Sequence, residues 1–261
     1  GVHFLPNDPP ADIAWKLVAV NLSDLAAKGA EPLGVLTGTG LSDDPDWNAA
    51  FVAGLGVVLE AFNVPLLGGD TVAMPKGAPR TLGLTALGRA RGPVPARSGG
   101  GVGDALYVAG HIGDAGLGLA IATQALAGPT ALLDAYRRPR PLLEMGQALA
   151  GQVTAMMDVS DGLLIDALRL AEASGLGVAI HLDALPMSDA ALSLGTDRAA
   201  RLRAAAAGDD YALLFSAAFP LRDLPGRAQR IGQLVRAPGL HLFDGAEPVA
   251  LPSQLGWLHQ G

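Results

Sequence analysis

Segments with helical and strand-like apolar patterns alternate along residues 1–90, and this alternation restricts the fold more than any other feature of the sequence. Ile13, Leu17 and Val20 recur at helical spacing, and Gly29 supplies a stop signal for that helix. The apolar or alternating runs between the helical segments have the pattern of β-strands. The predicted order is helix 12–30, strand 31–41, helix 44–63, a short apolar run at 64–71 and strand 80–90.

The stretch "RGPVPARSGGGVGD" at 91–104 is rich in Gly and Pro and marks a domain boundary or a flexible loop. Helical and strand-like apolar patterns also alternate in the residues that follow this stretch. We predict strands at 105–110, 177–182, 211–217 and 229–235, and helices around 115–127, 141–151, 161–174 and within 198–210. The sequence therefore predicts an α/β (α+β) fold with two domains, an N-terminal mixed sheet with helices over 1–92 and a C-terminal α/β domain over 93–261.

The composition excludes several classes of protein. Half of the residues are hydrophobic and 16% are charged, which favours a compact chain over a disordered one. The formal charge of −7 argues against a nucleic-acid surface, which needs clustered Lys and Arg. No apolar run reaches the roughly 18 residues of a membrane span, so we expect no membrane partner. The absence of cysteine removes disulfides and thiolate catalysis and is compatible with the cytoplasm, where we expect the protein.

Polar side chains interrupt an apolar stretch in "NLSDLAAKGA". Asn21, Asp24 and Lys28 fall at i, i+3 and i+7 and so share one helix face. One interpretation is a solvated polar stripe. The apolar flanks favour another, in which Asp24 lies in a mostly buried helix and needs a partner or a metal ion. The spacing alone leaves both open.

Two further acidic motifs lie at the ends of predicted strands. "LLGGDT" places Gly69 and Asp70 after a short strand, where a tight turn and a ligand site are both reasonable. "AGDDYALLF" places Asp209 and Asp210 just before a strand, and a turn is the simplest interpretation there.

The stretch "MDVSDGLLID" at 157–166 concentrates acids where a helix is predicted to begin. Asp158 can cap that helix, with Asp161 complementing its dipole. The same helix start would attract a phosphate through its free N–H groups. Carboxylates there would repel the phosphate unless a divalent cation lay between them. Asp166, farther inside the predicted helix, receives no role.

Motifs of the familiar nucleotide-binding folds are absent from the sequence. There is no P-loop, no GxGxxG after a strand, no protein-kinase motif set and no GxSxG elbow, and the histidines lack the spacing of a zinc site. Arg97 and Ser98 in the Gly-rich stretch are the best basic and hydroxyl pair for a phosphate. The acidic clusters, each at a predicted element end, are the dispersed carboxylate set that phosphoryl transfer with several Mg²⁺ ions needs.

Seven motifs occur in one order: "GVHF", "NLSDLAAKGAEP", "GGDT", "RSG…GD.LYVAG", "D.SDGL", "GDDYALLF" and "GW.H". In this combination the sequence resembles the thiamine-monophosphate kinases over nearly its whole length. The resemblance implies an N-terminal sheet that joins that of a second subunit in a homodimer, and a C-terminal domain that closes over ATP. It also implies direct transfer of the γ-phosphate of ATP to thiamine monophosphate, giving thiamine diphosphate. The acceptor phosphate is already ionised at neutral pH, so we assign no general base.

The resemblance further implies roles for individual residues. Positions that correspond to magnesium ligands are Asp24, Asp70 and Asp158, with Asp161 holding a further ion. Positions that correspond to the ATP site are Gly69, Asp70, Arg97 and Ser160. Positions that correspond to contacts of thiamine monophosphate are His3, Asp209, Asp210 and Trp257, whose ring suits stacking on a flat cation.

The sequence also departs from the family pattern. "GDDYALLF" replaces the usual GEDYEL, and "GWLHQG" differs from the usual GYDHF ending. The family's acidic segment upstream of GVHF has no counterpart, and the sequence starts without a methionine or a signal peptide, so we expect it to begin partway into a longer gene product. Two alternatives to the kinase stay open: an ATP-dependent synthetase of the same superfamily, and a non-catalytic relative that binds nucleotide or thiamine phosphate.

Overall fold

The computed structural model describes residues 1–258, with Leu41 described by its backbone alone. His259, the last residue of the GW.H motif, lies outside the described residues. The first part of the chain contains α1 (Pro10–Ala26), β1 (Ala30–Leu41), α2 (Pro45–Ala61), β2 (Leu66–Ala73) and β3 (Leu82–Ala90). These elements confirm the predicted order. Helix α1 ends earlier than predicted, and Gly29 follows it with a left-handed φ of 60° while its N–H donates to Ala26 O.

The first sheet has the strand order β2-β1-β3, with β1 parallel to β2 and antiparallel to β3. Helices α1 and α2 cover one face, and the core there contains Ile13, Val18, Leu22, Val35 and Val58. The other face is open. Along β1, β2 and β3 it presents Leu36, Val72 and Leu87, whose exposed fractions are 40%, 50% and 42%.

The second sheet has seven strands in the order β10-β9-β6-β8-β4-β7-β5. Among the described strands, β6 and β9 pair in parallel and all other neighbours pair antiparallel. Its strands are β4 (Ala105–Ala109), β5 (Ala155–Asp158), β6 (Gly177–His181), β7 (Leu213–Ala217), β8 (Ala228–Val235), β9 (Leu240–Asp244) and β10 (Glu247–Val249). The accompanying helices are α3 (Asp114–Ala122), α4 (Thr130–Arg137), α5 (Leu143–Leu149), α6 (Leu163–Ala173), α7 (Asp189–Leu192) and α8 (Arg198–Ala206), with a 3-10 turn at Leu182–Ala184.

Several elements of the second part were not predicted, namely β5, β9, β10, α4 and α7. Strand β5 has only four residues, all of them buried, and such a short apolar run has no periodicity to recognise. The β9–β10 hairpin did carry a signal, because its two-residue turn follows Asp244 and begins at Gly245, which has a φ of 60°.

The C-terminal end of α1 packs against elements of the second sheet. Ala26 and Ala27 share a buried cluster with Met145 and Leu149 of α5 and with Phe215 of β7. The approach requires glycine at 146, because a Cβ there would lie 2.0 Å from the carbonyl oxygen of Ala26. This contact brings the polar residues at the end of α1 to the edge strand β5.

Along the chain, the strands of the first sheet precede the Gly- and Pro-rich stretch 91–104 and those of the second sheet follow it. The division into domains at residue 92 stays a prediction. Within residues 1–258, no helix is long and apolar enough to cross a bilayer.

Candidate functional site

The end of α1 meets the end of β5 through a buried hydrogen bond. Ser23 Oγ donates to Asp158 Oδ2 at 2.7 Å. Burial raises the pKa of Asp158 to about 6; the Ser23 hydrogen bond opposes that rise, and the negative charge of Asp24 adds to it. The structure therefore places Asp24 near enough to Asp158 for its charge to act on that carboxyl, while their shared metal role stays a prediction.

The burial expected for Asp24 is wrong. Its side chain is exposed, and the buried polar residue of this turn is Ser23, which is 0% exposed. Ser23 and Asp24 are adjacent in a helix and therefore point in directions about 100° apart. The apolar flanks of "NLSDLAA" belong to the face of Ser23, and Asp24 lies beside that face with Lys28 one turn farther along.

Two cations accompany this pair of carboxylates. Lys28 Nζ donates to Pro95 O at 3.1 Å, which ties the end of α1 to the Gly- and Pro-rich stretch. Burial lowers the pKa of Lys28, the neighbouring charge of Arg97 lowers it further, and Asp158 and Asp24 oppose the shift. Arg97 is exposed and lies close enough to Lys28 for its charge to lower the pKa of that lysine.

The loop between β5 and α6 differs from the predicted helix cap. Helix α6 begins at Leu163 and not at 161, its N-cap position is Gly162, and Asp158 is the last residue of β5. The N-cap predicted for Asp158 is therefore wrong. Asp166, to which the sequence assigned no role, organises the loop: its Oδ2 accepts the N–H groups of Ser160 and Asp161 at 3.0 Å each.

Asp161 lies next to these residues with a cationic partner. Arg169 forms ion pairs with both Asp161 and Asp166. The carbonyl oxygen of Asp161 also accepts the N–H of Trp257 at 2.7 Å. A magnesium role for Asp161 stays a prediction, and a metal ion there would share this carboxylate with Arg169.

Asp70 lies apart from the other acids in the structure. It pairs with Gly38 of β1, it is exposed, and it shares the open face of the sheet with Val72, two residues along the same strand. Gly69 is required by the close pairing of β1 and β2, because a Cβ there would lie 2.1 Å from Thr37 O. In residues 1–258, no three His, Asp or Glu side chains converge on a point that could hold a metal ion.

Asp24 and Asp158 nevertheless suit Mg²⁺. Magnesium is commonly held by one or two carboxylates together with substrate phosphates rather than by a complete protein cage. Two adjacent carboxylates beside a buried serine provide the hard oxygen donors that this mode of binding needs. The residues present therefore fit the metal that the resemblance implies.

The two acids of "GDDY" point in different directions. Asp209 and Tyr211 have left-handed φ angles of 70° and 50°, which turn successive side chains away from each other. Asp210 Oδ2 and Oδ1 accept the N–H groups of Gly113 and Ala115 at 2.7 and 3.2 Å and so cap the start of α3. Burial raises the pKa of Asp210 to about 8, although those two hydrogen bonds oppose the shift.

Asp209 faces a cavity of about 330 Å³ between α1, β3 and the loop 207–211. Its Oδ2 pairs with Lys16 Nζ at 2.7 Å, and its Oδ1 accepts the hydroxyl of Tyr211 at 3.1 Å. The remaining lining is partly apolar and partly cationic: His3, Phe4, Ile13, Leu17, Val20, Arg80, Thr81 and Leu82. A carboxylate beside apolar side chains at the wall of a cavity suits a flat organic cation.

Of the four predicted substrate contacts, the structure brings His3 and Asp209 together at this cavity. Asp210 caps α3 instead, and Trp257, which is 52% exposed, lies beside Asp161 and outside the cavity lining. A larger cavity, of about 900 Å³, lies elsewhere between β4, α5 and the 3-10 turn, and its lining contains none of the predicted site residues.

Comparisons with known proteins agree on one family. The family models for the N-terminal and C-terminal domains of AIR synthase related protein match residues 1–90 and 101–243. The chain is 39% identical to the thiamine-monophosphate kinase of Salmonella typhimurium over 83% of this chain and 67% of that protein. It is 36% identical to that of Caulobacter vibrioides over 99% of this chain and 77% of that protein. The chain belongs to the thiamine-monophosphate kinase family.

Solved structures support the same family. The thiamine-monophosphate kinase of Stenotrophomonas maltophilia has a TM-score of 0.82 and 36% identity, with 93% of this chain and 81% of that chain covered. AaThiL complexed with AMPPCP and TMP has a TM-score of 0.85 and 26% identity, with 99% and 84% covered. Hydrogenase maturation protein HypE in complex with ATP, at 21% identity and a TM-score of 0.73, shares the fold.

Two residues of this thiamine-monophosphate kinase family member were missed by sequence reasoning. Lys16 is a lone charge in the apolar run "IAWKLVAV", and that isolation was the available signal. Arg80 lies over the Trp47 ring at 4.3 Å, and its Nε is buried without a hydrogen-bond partner among the described residues. Sequence gave no signal for Arg80, because only the packing of β3 beside α1 brings it to the cavity.

Proposed function

We propose that this protein transfers the γ-phosphate of ATP directly to thiamine monophosphate and forms thiamine diphosphate in a magnesium-dependent reaction. Family membership supports the donor and the acceptor, because relatives carry the name thiamine-monophosphate kinase and AaThiL was solved with AMPPCP and TMP. The proposal also includes in-line transfer and several magnesium ions. Phosphoryl transfer depends on alignment of the attacking and leaving oxygen atoms and on neutralisation of the phosphate charges.

One observation carries the proposal on this chain. The loop that bears Asp209 is joined by two backbone hydrogen bonds to the loop that follows Asp158 and contains Ser160. Asp209 N donates to Ser160 O, and Tyr211 N donates to Val159 O, each at 2.8 Å. The cavity that suits the acceptor therefore adjoins the carboxylates that suit magnesium.

Each group has a task in this proposal. Asp24 and Asp158 would hold Mg²⁺, with Asp70 and Asp161 as further ligands, and bound Mg²⁺ supplies positive charge to the phosphate oxygens. Gly69, Arg97 and Ser160 contact ATP. His3 and Asp209 hold the acceptor, with the Asp209 carboxylate facing the cationic thiazolium ring.

The chain's own groups need not remove a proton from the acceptor. The phosphate of thiamine monophosphate is ionised at neutral pH and can attack as it stands. The apolar lining from Phe4, Ile13 and Leu17 reduces the number of water molecules beside the acceptor and so disfavours hydrolysis of ATP.

The test uses the full-length gene product with ATP, thiamine monophosphate and Mg²⁺. Chromatography should detect thiamine diphosphate and ADP in equal amounts. Inorganic phosphate without thiamine diphosphate would instead indicate a synthetase of the superfamily. Calorimetric binding of both ligands without turnover would indicate a non-catalytic relative.

We also propose that the protein is a homodimer formed through the open face of the first sheet. Leu36, Val72 and Leu87 form an exposed apolar surface on that face, and such surfaces are commonly covered by a partner. A second copy of the same sheet offers a self-complementary partner for this face.

A further inference from the structure

Lys16 is a buried cation whose neighbours belong to three separate segments of the chain. It is 7% exposed, and lysine is rarely so buried unless it is paired. Its Nζ lies 2.7 Å from Asp209 Oδ2 and 4.0 Å from the centre of the Tyr136 ring. Lys16 belongs to α1, Tyr136 to α4 and Asp209 to the loop before β7, so the ammonium group joins all three.

Asp209 is held by one donor on each carboxylate oxygen. Lys16 binds Oδ2, and the Tyr211 hydroxyl donates to Oδ1. Tyr211 lies in the same loop as Asp209 and moves with it, whereas Lys16 reaches Asp209 from a helix. Lys16 is therefore the contact that holds this carboxylate in place relative to α1, which lines the cavity.

Tyr136, whose ring lies beside the Lys16 ammonium group, is held in place by a further hydrogen bond. The Tyr136 hydroxyl donates to Asp8 Oδ2 at 3.2 Å. Asp8 also pairs with Arg137 at 3.0 Å and accepts the N–H of Leu5 at 2.8 Å. This network joins α4 to the segment that carries His3 and Phe4, which line the cavity.

We propose that Lys16 is a positioning residue for thiamine monophosphate, which it serves by fixing the orientation of the Asp209 carboxylate. This role rests on the proposed function. Lys16 has two opposing effects on a cationic substrate. Its positive charge repels the substrate, whereas its ion pair with Asp209 orients the carboxylate that attracts the substrate. The Asp209 side chain is 37% exposed, so water screens the repulsion across the carboxylate, and we expect orientation to dominate.

The decisive measurement is the KM for each substrate in the full-length gene product. Lys16→Met keeps the length of the side chain and removes its charge. We expect the KM for thiamine monophosphate to rise about tenfold, because the variant loses a hydrogen bond between charged groups. The KM for ATP and kcat should each change by less than about threefold. Lys16→Arg should restore most of the loss, because a guanidinium can pair with the same carboxylate.

A double-mutant cycle tests whether Lys16 acts through Asp209. We expect Lys16→Met to add no further increase in KM when Asp209 is already asparagine. Additive increases would mean that Lys16 contacts the substrate directly and would overturn the positioning role.

The matched control is Arg138→Met. Arg138 pairs with Asp12 and so bridges α1 to the end of α4 one turn away from Lys16, outside the cavity lining. We expect it to lower the melting temperature and leave both KM values unchanged. An unchanged KM for thiamine monophosphate in Lys16→Met, with active unsubstituted protein, would overturn the inference alone; absence of turnover in the unsubstituted protein would overturn the proposed function as well.

Discussion

Ser23 of α1 donates a 2.7 Å hydrogen bond to Asp158 of β5, and both side chains are buried. The bond joins the helix that covers the first sheet to an edge strand of the second. It also holds one candidate magnesium ligand, Asp158, near another, Asp24, which directly follows Ser23 in α1. The Ser23–Asp158 pair therefore contributes to packing at the place where we propose that magnesium binds.

Ser23→Ala should lower the free energy of unfolding by about 1–3 kcal/mol, because it leaves a buried carboxylate oxygen without its donor. Urea denaturation measures the change. Ser193→Ala is the control, since Ser193 Oγ makes an exposed bond to the nearby Ala190 O, and it should change stability by less than about 0.5 kcal/mol. Equal effects of the two substitutions would contradict the importance of the Ser23–Asp158 bond.

Asp70→Asn should abolish turnover, because it removes a proposed magnesium ligand. It should cost little stability, because Asp70 is exposed and its side chain accepts a local hydrogen bond from Thr71 N. We expect the melting temperature to stay nearly constant while thiamine diphosphate formation disappears, and chelation of Mg²⁺ should have the same effect on the unsubstituted protein. Asp43→Asn, at another exposed acid, should keep normal turnover. Normal turnover in Asp70→Asn would remove its metal role.

Asp209→Asn and Asp210→Asn should separate substrate binding from folding. Asp209 lines the cavity, so its substitution should raise the KM for thiamine monophosphate by about tenfold or more. Asp210 caps α3, so its substitution should leave that KM unchanged and alter stability instead. Steady-state kinetics and thermal unfolding of the two variants check this, and a large KM effect from Asp210→Asn would place that residue at the substrate.

The stability of the protein should depend on pH through Asp210. Its pKa is raised from 3.8 to about 8 in the folded protein, so the folded state binds the proton more tightly than the unfolded chain. The contribution is full below the unfolded pKa and is lost as pH rises from about 4 to 8, with a slope of at most about 1.4 kcal/mol per pH unit for one proton. Urea denaturation at several pH values should show a shallower decline in Asp210→Asn; an unchanged slope would contradict the raised pKa.

Leu36→Lys should convert the proposed dimer into a monomer, because it places a charge on the open face of the first sheet. Light scattering after size-exclusion chromatography measures the mass. Phe219→Lys, at a side chain that is 81% exposed outside that sheet, should leave the mass unchanged. A monomeric unsubstituted protein would contradict the dimer.

The sequence by itself determined the helices and strands of the first sheet and the family. Apolar periodicity reports which face of a segment is buried, and it was strong in α1, α2 and β3. It was weak for the four-residue β5, and for that reason the sequence predicts a helix start at Asp158, which the structure shows to be the last residue of a strand.

The tertiary structure alone decided which acids share a site. The close packing of α1 on α5 at Gly146 places the end of α1 beside β5 and so brings Asp24 near Asp158, while Asp70 stays on the open sheet face. Two left-handed residues, Asp209 and Tyr211, send adjacent carboxylates to a cavity and to a helix cap, and Lys16 reaches the first of them across 193 positions of sequence. Residue type and local spacing specify what a side chain can bind, but contacts between distant segments specify which side chains meet, because they depend on the packing of whole elements.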